Sequence, residues 1–88
     1  MTGREATMSI TVEVRYFGPL LDETGVAHET IELELPARVH EIDSRIRTLR
    51  TGLAACTYRL AVDESLKEAD DLVTEAREIA LLPPFSGG

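Results

Sequence analysis

The last six residues of this 88-residue sequence, Pro83-Pro84-Phe85-Ser86-Gly87-Gly88, carry the chemistry that its residue types allow. Gly87 and Gly88 lack side chains, so an end built from them can thread a narrow tunnel where a Cβ would collide. What such an end presents is the carboxylate of Gly88. A carboxylate is a poor acyl donor until it is converted to an acyl-phosphate or acyl-adenylate, after which a sulfur or amine nucleophile can attack. The sequence has no Gly-x-x-x-x-Gly-Lys phosphate loop and no Gly-x-Gly-x-x-Gly fingerprint. Activation is therefore expected from a second protein that supplies the nucleotide, with no cofactor bound by this chain. Pro83 and Pro84 hold φ at about −65° and favour an extended path. They cannot continue a sheet ladder. The tail is thus expected to leave a strand as a short stiff arm that carries Ser86, Gly87 and Gly88 outward.

The elements before the tail must hold it. Ile10, Val12, Val14 and Tyr16 alternate with polar residues over 9–17, the period of a strand with one buried face. Pro19 suits the first position of a short helix, and Gly25 suits the left-handed residue that ends it. Ile31, Leu33 and Leu35 mark a second strand, stopped by Pro36. Val39, Ile42, Ile46, Leu49 and Leu53 recur in steps of three and four, which predicts a main helix over about 38–51 with one apolar stripe. Ala37 and Arg38 offer no side-chain acceptor to cap it. Tyr58, Leu60 and Val62 mark a third strand, and Asp63-Glu64-Ser65 a turn. Leu66, Leu72 and Val73 are the expected anchors of the polar stretch 66–76. The run Ile79-Ala80-Leu81-Leu82 reads as a central strand buried on both faces. Strands around one long helix give an α+β layer arrangement. Residues 1–8 read as an N-terminal extension, 9–82 as the domain and 83–88 as the tail.

Composition narrows the partners. With 16 acidic against 9 basic residues the formal charge is −7. Phosphate backbones need a basic face, so nucleic acid is excluded as the main partner, and an anionic membrane surface is disfavoured. No apolar run approaches the roughly 20 residues of a membrane span, and the start lacks the apolar core of a secretory signal. A cytoplasmic location follows. Cys56, the single cysteine, cannot form an internal disulfide; it reads as a packing residue. His28 and His40 read as surface residues, and no cluster has metal-ligand spacing. Lys67, the only lysine, reads as a solvated charge. Phe17 reads either as core or, together with Phe85, as an apolar docking patch.

Ile79–Gly88 as a whole resembles the C-terminal signature of the small subunit of molybdopterin synthase. The resemblance extends over most of residues 9–88, through Thr11–Phe17, Leu35-Pro36 and Leu60-Ala61-Val62-Asp63-Glu64. It implies the ubiquitin-like β-grasp fold, also found in the thiamine-pathway sulfur carrier: a mixed sheet packed on one main helix, the last strand central and beside the first. It implies that Gly88 is adenylated by a ubiquitin-activating-type enzyme using ATP and converted to a thiocarboxylate by a sulfur donor protein. It further implies that the tail enters the large subunit of molybdopterin synthase and gives sulfur to a pterin precursor of the molybdenum cofactor. Gly87 and Ser86 would serve passage, and Pro83, Pro84 and Phe85 would position the arm. The same activated carboxylate would also serve a ubiquitin-like protein modifier, or a sulfur carrier of another pathway such as thiamine.

Overall fold

The computed structural model describes residues 6–84. Strand β1 (Met8–Tyr16) leads through α1 (Pro19–Thr24) to β2 (His28–Leu35). A two-residue strand β3 (Ala37–Arg38) precedes the main helix α2 (Val39–Leu49) and a 3₁₀ turn, Thr51–Leu53. Strands β4 (Arg59–Val62), β5 (Ser65–Leu66), β6 (Leu72–Val73) and β7 (Glu78–Leu82) complete the order. Five strands form one sheet in the order β2-β1-β7-β4-β5, and β3 pairs separately with β6. The last long strand is central: β7 runs parallel to β1 and antiparallel to β4. This is the mixed sheet of the β-grasp fold, with α2 over one face.

The period-two residues build the core. Val12, Val14, Tyr16, Leu33, Leu35, Leu60, Val62, Ile79 and Leu81 are buried on the helix side, where Val39, Ile42, Ile46 and Leu53 meet them. Each large side chain so buried contributes roughly 1.5–3 kcal/mol. No side-chain polar atom buried among the described residues lacks a hydrogen bond.

Four expectations are corrected. First, α2 ends at Leu49, which is 44% exposed, because the chain then tightens into the 3₁₀ turn and Leu53 fills the core instead. Second, Leu66 and Leu72 are exposed, and the anchors of the irregular segment are Val73 and Ala76. Third, β7 is buried on one face only: Ile79 and Leu81 are inside, while Glu78, Ala80 and Leu82 are half-buried, since one helix covers one side of a sheet. Fourth, Met8 already belongs to β1, paired with Leu35.

The start of α2 is capped by its own third residue and by residues far along the chain. The Glu41 carboxylate accepts the Arg38 N–H at 2.7 Å. The Val39 and His40 N–H groups donate to the Asp71 and Ala69 carbonyls, both at 3.0 Å. The polar stretch therefore closes the helix end that the local sequence leaves open.

Candidate functional site

The site is the end of the sheet where β7 stops. β7 is registered against Tyr16 of β1 through Leu81 and against Arg59 of β4 through Leu82. A strand held on both sides can deliver the chain that follows it to one fixed place. Its start is fixed as well: Asp63 accepts the Arg77 and Glu78 N–H groups, each at 2.9 Å. Asp63 and Glu64 have φ of 49° and 71°, so the turn joining β4 to β5 is a two-residue hairpin of positive-φ residues.

Pro83 follows half-buried, and Pro84 is exposed. Pro83 lies against Gly18, where an added Cβ would stand 3.2 Å from the Pro83 Cγ. Gly18 has φ +60°, a conformation other residues rarely adopt, and it turns the chain into α1. The junction of β1 and α1 thus makes the seat of the arm. Phe17, one residue before Gly18, is 43% exposed, which resolves its two readings in favour of the surface. Phe85, Ser86, Gly87 and Gly88 lie outside the described residues.

Sequence reasoning missed the surface beside the exit. Register puts His28, Arg15, Ala80, Ala61 and Leu66 in one row across the open face, with Leu82 and Arg59 in the next row toward the exit. Ala80, Leu82 and the half-exposed Leu66 make an apolar strip, and exposed Phe17 follows directly on Tyr16, the β1 partner of Leu81. Arg15 and Arg59 flank the strip, each held by an acidic partner: Arg15 to Glu78 at 2.7 Å, Arg59 to Glu68 at 3.1 Å. The signal was present in Glu78-Ile79-Ala80-Leu81-Leu82, where odd positions are large and even ones are mixed.

The other singled-out residues lie elsewhere. Cys56 packs against the core, its Sγ donating to the Gly52 carbonyl. His28 meets Glu13 at 3.1 Å on the open face, and His40 is exposed on α2. Among the described residues no three His, Cys, Asp or Glu side chains converge as metal ligands. No helix of the described residues is long and apolar enough to cross a membrane.

A mixed sheet under one helix, with the last strand central and leading into Pro83-Pro84, is the arrangement of the ubiquitin-like β-grasp fold. No protein-family model matches the sequence, and no curated protein does so. Solved structures do match. One is a Pyrococcus furiosus protein described as a candidate molybdopterin converting factor subunit 1, with TM-score 0.75, 22% identity, and 86% of this chain and 99% of that chain covered. A second is SAMP1, the small archaeal modifier protein 1, of Haloferax volcanii, with TM-score 0.74, 17% identity and coverages of 89% and 99%. A third is a chain from the complex of subunits 1 and 2 of molybdopterin-converting factor of Helicobacter pylori, with TM-score 0.58, 26% identity and coverages of 90% and 100%. The β-grasp architecture expected from the sequence is thereby shown, and the neighbours are the kind of protein that the sequence resembles.

Proposed function

We propose that this chain is a ubiquitin-like sulfur carrier that works as the small subunit of molybdopterin synthase in the cytoplasm. The observation that carries the reading is the central strand β7, which ends in Leu82 and turns directly into a proline arm seated on Gly18. Gly87-Gly88 follow that arm in sequence. The proposed role requires that a partner enclose the Gly88 carboxylate. Its oxygen attacks the α-phosphorus of ATP in an activating enzyme and releases pyrophosphate. The outer sulfur of a donor-protein persulfide then displaces AMP, and a thiol cleaves the resulting acyl disulfide, leaving a thiocarboxylate on Gly88 and a disulfide between the donor and that thiol. The large synthase subunit receives the tail, and the Leu82-Phe17 strip supplies an apolar contact beside it. The Helicobacter pylori neighbour, a complex of two molybdopterin-converting factor subunits, supports such a partner.

The neighbouring SAMP1 structure favours a second reading, conjugation of Gly88 to a lysine of a target protein. Both readings pass through the same adenylate. Incubation with ATP, an activating enzyme and a sulfur donor is expected to exchange one oxygen for sulfur at Gly88, read by intact mass. One residue added after Gly88 should abolish the exchange and leave the fold intact. Higher-mass conjugates without any thiocarboxylate would replace the first reading by the second.

A further inference from the structure

Strand β2 is one edge of the sheet, and it is long for an edge. Its pairing with β1 runs over eight residues without a bulge, from Met8–Leu35 to Arg15–His28. The Tyr16 N–H donates to the Ala27 carbonyl. Antiparallel alternation then turns the backbone groups of Glu29, Ile31 and Leu33 toward β1, and those of Thr30, Glu32 and Glu34 outward. Exposed edges are ordinarily guarded by charged side chains, lysine above all, by proline, by a bulge or by shortness. The opposite edge, β5, is two residues long. β2 contains no lysine or proline and keeps full length.

A groove follows this edge. Two adjoining cavities of about 430 and 530 Å³ share Glu32 and Arg45. Exposed Leu49 of α2 and half-buried Ile31 give the helix side an apolar lining. The open-face side is acidic. Glu32 and Glu34 are exposed and accept only the Ser9 and Thr7 hydroxyls; neither has an ion pair among the described residues. Two copies joined edge to edge would bring these carboxylates together, which is unfavourable. A strand of opposite charge is favoured for the same reason.

We propose that the β2 edge binds an extended peptide by strand addition, alternate basic residues beside Glu32 and Glu34 and alternate apolar residues in the groove by Ile31 and Leu49. Main-chain hydrogen bonds to Thr30, Glu32 and Glu34 give affinity, and the alternation gives specificity. The site is separated from the Pro83 exit by β1 and does not depend on the tail chemistry.

The test uses the full isotope-labelled chain and an acetylated, amidated Lys-Val-Lys-Val-Lys-Val-Lys peptide, with a Glu-for-Lys peptide as control. Saturable shifts and slowed exchange at the Thr30, Glu32 and Glu34 amides are expected. The double variant E32K/E34K should raise the Kd about tenfold or more, ~1.4 kcal/mol. Glu32→Pro removes one outward N–H and should weaken binding with the charge of Glu34 intact. The proposal fails if shifts centre on Ala80, Leu82 and Leu66, if the control peptide binds equally, or if no binding saturates. It also fails if the folded charge-reversed or proline variant binds as the parent does.

Discussion

Two tyrosines are the only ones in the chain, and each is tied to a carboxylate that an arginine also holds. The Tyr16 hydroxyl donates to Glu29, which accepts two bonds from Arg50 at 2.7 and 2.6 Å. The Tyr58 hydroxyl donates to Asp43, and Arg47 bonds Asp43 while lying 4.4 Å from the centre of the Tyr58 ring. Burial, then the hydrogen bond to the carboxylate, pushes both phenols well above their ordinary value of 10.0. A raised folded-state pKa contributes stability in full below the unfolded value, and that contribution is lost as pH climbs past it. Phenolate absorbance should therefore appear together with loss of helical circular dichroism above pH 10. A normal phenolate titration in the folded chain would contradict this. The Arg50 hydrogen bonds hold the Glu29 carboxyl below its ordinary 4.5, so its contribution is present above that pH and fades under acid. Arg50→Ala should cost about 1–2 kcal/mol in denaturant melts, against about 0.5 or less for Arg45→Ala, at a position that is exposed and has no ion pair among the described residues. The Asp43–Arg47 pair lies at the four-residue spacing of helix neighbours; Glu41 and Arg45 share that spacing and form no ion pair among the described residues. Tyr16, Glu29 and Arg50 lie 13 and 21 residues apart, and no local pattern links them.

At the level of elements, periodicity located the long strands, both helices and the hairpin turn. It misjudged the leucines because an apolar residue is consistent with burial without requiring it. Leu49 falls where the helix stops, and Leu66 lies on the open face opposite Ala61. The β3–β6 pair escaped notice because two residues carry no period. The long-range caps from Ala69 and Asp71 escaped because they join parts of the chain distant in sequence. The hairpin holds a correctable fault: Glu64 occupies φ 71°, and glycine pays less there. Glu64→Gly is expected to raise stability by up to about 1 kcal/mol, seen as a higher melting midpoint. Asp63→Ala should do the reverse, losing about 1–2 kcal/mol, because it abandons two N–H groups at the start of β7. If Asp63 also aims the arm, this variant will accept sulfur more slowly at a temperature where it is still folded.

Considered whole, the molecule keeps its hydrophobic core on one side of the sheet, and the surfaces proposed for partners lie on the other side and at its margins. Val14, Tyr16, Ile79 and Leu81 hold β1 to β7 from within. Ala80, Leu82 and Phe17 look outward beside the arm and do not belong to the core cluster. A change there should separate binding from folding. Phe17→Asp adds a charge to an exposed position, so its effect on stability should stay within about 0.5 kcal/mol. Against the large subunit the same charge must be desolvated next to an apolar surface, and truncating or charging a central apolar anchor typically costs about 2 kcal/mol or more in affinity. The expected result is an unchanged melting midpoint with a Kd raised roughly 30-fold, at about 1.4 kcal/mol per tenfold. Salt separates this effect from the overall charge. Where the overall charge of −7 steers the encounter, the on-rate should change with salt in parent and variant alike, while the Phe17 defect lies in the off-rate and persists. Equal off-rates for parent and variant would remove Phe17 from the docking surface and leave the arm alone to bind the partner.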